Sequence, residues 1–214
     1  MKSITINALC LVLAVSLSSC QGDKKAVNIS EMGDTSFVNS NFKGNLINYS
    51  EGMSACDQIG EADLAEIYGV SADLIVIDDP LTNPDRQVTS TPICSFYIKS
   101  DESDFLWLRG SMAVTREIGK DEFMGEVHEA TGGGKNWEEA WALKKSMSQS
   151  AEWIPNTGLA ALWNESNTQL EIKFKGYTLE VYPLKNISNK EEVAKNRDYK
   201  SVALEMAKAA GYIQ

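Results

Sequence analysis

The sequence predicts an α+β fold, an antiparallel sheet packed by helices. Three observations carry that prediction. Leu170, Ile172 and Phe174 alternate with Glu171, Lys173 and Lys175. After Gly176, Tyr177, Leu179 and Val181 alternate with Thr178, Glu180 and Tyr182. This period of two marks a hairpin with one buried face and a tight glycine turn. Cys94, Phe96 and Ile98 share one side of 93–99, and Leu106, Leu108, Met112 and Val114 alternate around Gly110 in 105–115. These stretches form a second hairpin, turning at 101–104. Finally, Tyr199, Val202, Ala203, Met206 and Ala210 fall at helical spacing, so the chain closes with an amphipathic helix.

The other elements follow in order. Residues 21–50 are rich in Asn, Ser, Gly and Lys with little apolar periodicity. Such a segment does not offset its own ordering entropy and is expected to be a flexible tether. Residues 51–214 are expected to form a single domain starting near Met53. Gly60 to Gly69 predicts a short helix with an acidic first turn, Leu64, Ile67 and Tyr68 on one face, and Gly69 as its stop. Pro80, Pro84 and Pro92 make 78–92 a loop. Asp121 to Ala130 and Trp137 to Ser148 are helical candidates separated by Thr131-Gly132-Gly133-Gly134, and Leu159 to Trp163 is a further strand.

The N-terminus is of another kind. Lys2 precedes an apolar stretch from Ala8 to Leu17, a charged n-region and a short h-region. The stretch is shorter than the roughly 20 apolar residues of a transmembrane helix. It closes on Leu17-Ser18-Ser19-Cys20, which resembles the lipobox of bacterial lipoproteins. The resemblance implies a signal peptide over residues 1–19 and a lipidated Cys20, the thiol carrying the diacylglyceryl and palmitate-type chains. Multiple acyl chains anchor a protein stably where one does so only marginally. A cell-envelope location is therefore implied, with the membrane as a partner. Gln21 in place of Asp favours the outer membrane in a two-membraned cell.

Cys10 lies in the h-region and Cys20 carries lipid, which leaves Cys56 and Cys94. An even pair in an oxidising compartment predicts a disulfide. The 214 residues are 43% hydrophobic, enough for a core, and carry a net charge of −10. An acidic chain without a basic run repels phosphate backbones, so no nucleic-acid partner is expected.

The order of features in the mature chain resembles small bacterial lipoprotein families of unknown function. The matching residues are Cys56, Gly69, Cys94 with Phe96, Gly158 through Trp163, the 170–182 hairpin and Ala207 to Ala210. Those families are similar to the PsbP-like α/β/α sandwich. The resemblance implies a binding or scaffold module, because that fold class is not tied to one catalytic constellation.

Residues that carry chemistry are few. His128 is the single histidine, flanked by Glu126 and Glu129, with no Gly-x-Ser-x-Gly elbow and no HExxH motif. Gly132-Gly133-Gly134-Lys135 lacks the leading glycine and the Ser/Thr of a phosphate loop. Asp78, Asp79, Asn83 and Asp85 gather oxygen ligands of the kind calcium takes, without EF-hand spacing. No metal and no cofactor are expected, with calcium at Asp78, Asp79 and Asp85 as the alternative. Trp137 and Trp141 stand one helical turn apart. Their stripe is expected to be mostly core, with a partner surface as the alternative. The chain is therefore expected to be a non-catalytic envelope module that binds another envelope protein or a small ligand. A hydrolase built on carboxylates, drawn from its 30 acidic residues, and an inhibitor or immunity-type lipoprotein are the alternatives.

Overall fold

The computed structural model describes residues 33–82, 92–99, 109–117, 136–185 and 197–214. The expected signal peptide and Cys20 lie outside these residues. So do the turn at 101–104, the 121–130 helix, His128 and the glycine run.

The described strands form one antiparallel sheet. In chain order they are β1 (Ile75–Asp78), β2 (Ile93–Ile98), β3 (Gly110–Arg116), β4 (Ala151–Trp153), β5 (Ala160–Asn164), β6 (Gln169–Phe174) and β7 (Tyr177–Tyr182). Across the sheet they run β1-β2-β3-β7-β6-β5-β4. Among the described residues three α-helices pack on it: α1 (Glu61–Tyr68), α2 (Trp137–Met147) and α3 (Tyr199–Ala209). The α+β class holds, with helices on both faces of the sheet. Among the described residues no helix is long and apolar enough to cross a membrane.

Alternation decides which side chain meets which layer. On the first face, Leu170 and Ile172 of β6 lie beside Val181 and Leu179 of β7, next to Met112 and Val114 of β3. Cys94 and Phe96 of β2 and Trp163 of β5 extend the row. All are essentially buried, under Leu64 and Tyr68 of α1 and Val202, Ala203, Met206 and Ala207 of α3. Gly110 pairs with Phe96 across the β2–β3 ladder, and a Cβ there would overlap the Phe96 ring. The Cys56–Cys94 disulfide forms as expected, tying the short 3-10 turn Ala55–Asp57 to β2.

Local chemistry sets the helix ends. Gly69 closes α1 at φ 67°, in the left-handed region that glycine enters most cheaply. Arg197 then donates to the last carbonyls of α1, Ile67 O at 2.8 Å and Tyr68 O at 2.5 Å. Asn136 caps α2, accepting from Glu139 N, and Asp198 caps α3, accepting from Lys200 N and Ser201 N. The hydroxyl of Ser201, donating to Asp198 Oδ2 at 2.8 Å, and then those backbone bonds hold the Asp198 carboxyl below the usual carboxylate range.

Two expectations need correction. Residues 33–50 are not a free tether: they form a strap across the sheet. Asn39 N donates to Leu159 O at 2.8 Å, Asn45 exchanges two hydrogen bonds with the Lys175 backbone, and Tyr177 Oη donates to Ile47 O at 2.7 Å. Phe42, Ile47 and Tyr49 pack against the first-face core. Isolated apolar side chains offset the ordering cost here without any periodicity to announce them. The second correction concerns the 170–182 hairpin, expected to bury one face. Glu171 and Lys173 are 6% and 3% exposed, because β6 lies inside the sheet and α2 contributes to the covering of its other side.

Candidate functional site

The second face of the sheet combines aromatic and ionic groups. Asn136 starts α2, acidic Glu138 and Glu139 occupy its first turn and Lys144 and Lys145 its last, all favourable to the helix dipole. The helix presents Trp137 and Trp141, with rings edge to face at 6.5 Å and 82°. Trp141 packs on Ala151, Ala160 and Leu162 of β4 and β5 and is 6% exposed. Trp153 of β4 stacks on Trp141 at 6.5 Å and 14°. Both Trp153 and Trp137 stay half-buried. The strap inserts Phe37 into this group, flat on Trp153 at 4.0 Å and 5° and edge-on to Trp137 at 6.3 Å and 87°.

Ion pairs flank the tryptophans. Lys144 Nζ donates to Glu171 Oε1 at 2.5 Å and sits 5.8 Å from the Trp141 ring. Lys173 Nζ donates to Glu117 Oε2 at 2.8 Å and sits 5.9 Å from the Trp137 ring. Both are cation–π distances. Glu171 stands directly opposite Glu180 in the β6–β7 ladder, and like charges in that position are destabilising. Lys144 offsets the first. The second accepts from Thr115 Oγ1 at 3.2 Å and from Gln169 Nε2 at 3.5 Å. Burial, followed by the charges of Glu180 and Glu171, pushes the Tyr182 phenol up to about 12.

The residues singled out in the sequence are distributed as follows. Asp78 pairs with Arg109 at 2.6 Å, and Arg109 lies 5.7 Å from the Tyr97 ring. Asp79 accepts from Ser54 Oγ at 3.2 Å and from Leu81 N at 3.0 Å. Asn83 and Asp85 lie outside the described residues. Among the described residues no group of three or more His, Cys, Asp or Glu is placed to hold a metal ion. Trp141 is core, as the stripe predicts, and Trp137 is the half-exposed member. Sequence reasoning missed Trp153, Phe37, Lys144, Lys173 and the Glu171–Glu180 pair. A charged residue on an alternating strand looks the same whether solvent or a helix faces it. The unpaired tryptophan stripe of α2 was the available signal that a second layer existed.

No protein-family profile, curated protein or solved structure matches this chain.

Proposed function

We propose that this chain is a lipid-anchored protein of the bacterial envelope whose domain binds a partner through the tryptophan-lined second face of its sheet. The observation that carries the binding reading is the grouping of half-buried Trp137 and Trp153 beside the Lys144–Glu171 and Lys173–Glu117 pairs. Trp is enriched among the residues that dominate interface energies, and the half-exposed Lys144 and Glu117 ends of the two pairs would supply the charged rim that shapes partner choice. The anchor reading rests on Leu17-Ser18-Ser19-Cys20. Residues 21–32, fully extended, reach at most about 40 Å, so the domain would work close to its membrane. Helices on both faces of the sheet are also what the PsbP-like likeness implies.

Cross-linking pull-down from native membranes tests the binding reading. One envelope protein should be enriched at near-equal amount and lost on Trp137→Ala. No enriched partner, or one indifferent to Trp137, sinks it. Metabolic palmitate labelling tests the anchor separately: Cys20→Ala should abolish the label and release the chain from the membrane fraction, and a retained label refutes the anchor.

One observation favours a second reading, a carboxylate-based hydrolase. Glu171 and Glu180 face each other across the β6–β7 ladder, and glycoside hydrolysis uses two such carboxyl groups. Aryl glycosides cleaved by the chain, with turnover lost in Glu171→Gln and Glu180→Gln, support it. An inert chain removes it.

A further inference from the structure

We propose that Trp137, Trp141 and Trp153 form a binding site for an aromatic side chain on an extended peptide, and that the chain's own Phe37 fills that site in cis. The inference rests on the binding-module reading and names the class of partner. Regular structure supplies the site, with half-buried Trp137 and buried Trp141 from α2 and half-buried Trp153 from β4. Phe37 comes instead from a stretch, residues 33–50, that has neither helix nor strand.

The way the strap docks resembles peptide recognition. Its ring lies flat on Trp153 and edge-on to Trp137, the second an arrangement that aromatic quadrupoles favour. Two residues on, Asn39 N donates to Leu159 O at 2.8 Å and Asn39 Nδ2 donates to Gly158 O at 2.9 Å. One side chain in an aromatic slot, with backbone bonds to an adjoining rim, is how extended peptides are read. Gly158 carries φ 57°, and a Cβ there would overlap Ile172 and the Lys173 carbonyl. Glycine is therefore required at this point of the rim. Farther along, Phe42, Ile47 and Tyr49 belong to the main core. Residues 33–39 can accordingly leave while the rest of the strap stays.

A tethered occupant competes at an effective concentration on the order of millimolar. A partner segment with an aromatic residue followed two positions later by an amide side chain would displace it, opening the site only near that partner.

The test uses the full chain carrying Phe37→Ala and a synthetic peptide of residues 33–41, followed by tryptophan fluorescence and calorimetry. The peptide should bind this variant saturably, about tenfold or more tighter than it binds the unaltered chain. Binding should disappear when Trp153→Ala is added or when the phenylalanine of the peptide is replaced by alanine. A folded Phe37→Ala chain that ignores the peptide overturns the proposal, as does binding indifferent to Trp153. Should Phe37→Ala fail to fold, Asn39→Ala loosens the strap and keeps the ring. It should bind the peptide more tightly than the unaltered chain does, and equal binding refutes the proposal. If the peptide fails while the pull-down still yields a Trp137-dependent partner, the in-cis occupant is wrong and the binding-module reading stands.

Discussion

The two faces of this sheet are made by the same strands and are built on opposite principles. On the face toward α1 and α3, alternate residues of β3, β6 and β7 are aliphatic or aromatic and essentially inaccessible to water. One residue along, the same strands carry Glu171, Lys173, Thr115 and Glu180 on the face toward α2. The first face buries apolar area and makes the fold stable. The second retains two buried charges and a like-charge pair, arrangements that apolar residues of similar volume replace at little or no loss of stability. Stability alone therefore does not account for the second face, which is the ground for the recognition role we propose.

The comparison can be broken or sharpened by substitution. The largest effect is expected on the first face. Replacing Cys56 and Cys94 together by serine removes a cross-link between residues 38 apart in sequence. The loss should be about 4 kcal/mol on the chain-entropy model, read by urea unfolding without reductant. Ile172→Ala, which empties a fully buried site, should cost about 3 kcal/mol in the same assay. Glu117→Gln should cost roughly 2 kcal/mol, because it leaves the Lys173 ammonium buried without a carboxylate. Lys173→Met, one residue from Ile172 but on the other face, should stay within about 1 kcal/mol of the unaltered chain. A Lys173→Met loss as large as that of Ile172→Ala would erase the distinction between the faces.

The smallest effect is a pH dependence. The Tyr182 phenol, pushed up to about 12 by burial and then by Glu180 and Glu171, starts from an ordinary value of 10.0. The folded chain keeps a proton that the unfolded chain releases, so stability falls as pH rises from about 10 to about 12. Tyr212, which burial also pushes to about 12, contributes in the same direction from the first face. Unfolding midpoints measured from pH 9 to 12 should fall less steeply in Tyr182→Phe. An unchanged slope would show that the second face does not hold Tyr182 protonated.

Much of the first face was legible from periodicity. α1, β2, the β6–β7 hairpin and α3 each repeat their apolar positions often enough to declare themselves. β1 and β4 were not legible: four and three residues are too few to show a period, and they are strands only because β2 and β5 pair with them. The site was half legible. Trp137 and Trp141 stand out by their spacing, while Trp153 and Phe37 join them from 12 residues beyond Trp141 and 104 before it.

By itself the sequence determined the α+β class, the Cys56–Cys94 pairing and the Gly69 stop of α1, because each depends on a local pattern or on counting a scarce residue. Only the tertiary structure decided that residues 33–50 are a strap, that Glu171 and Lys173 are buried, and that Phe37 completes a box of three tryptophans. Burial belongs to the whole packing: an alternating strand specifies two faces, and only the layers laid against them settle what each face meets.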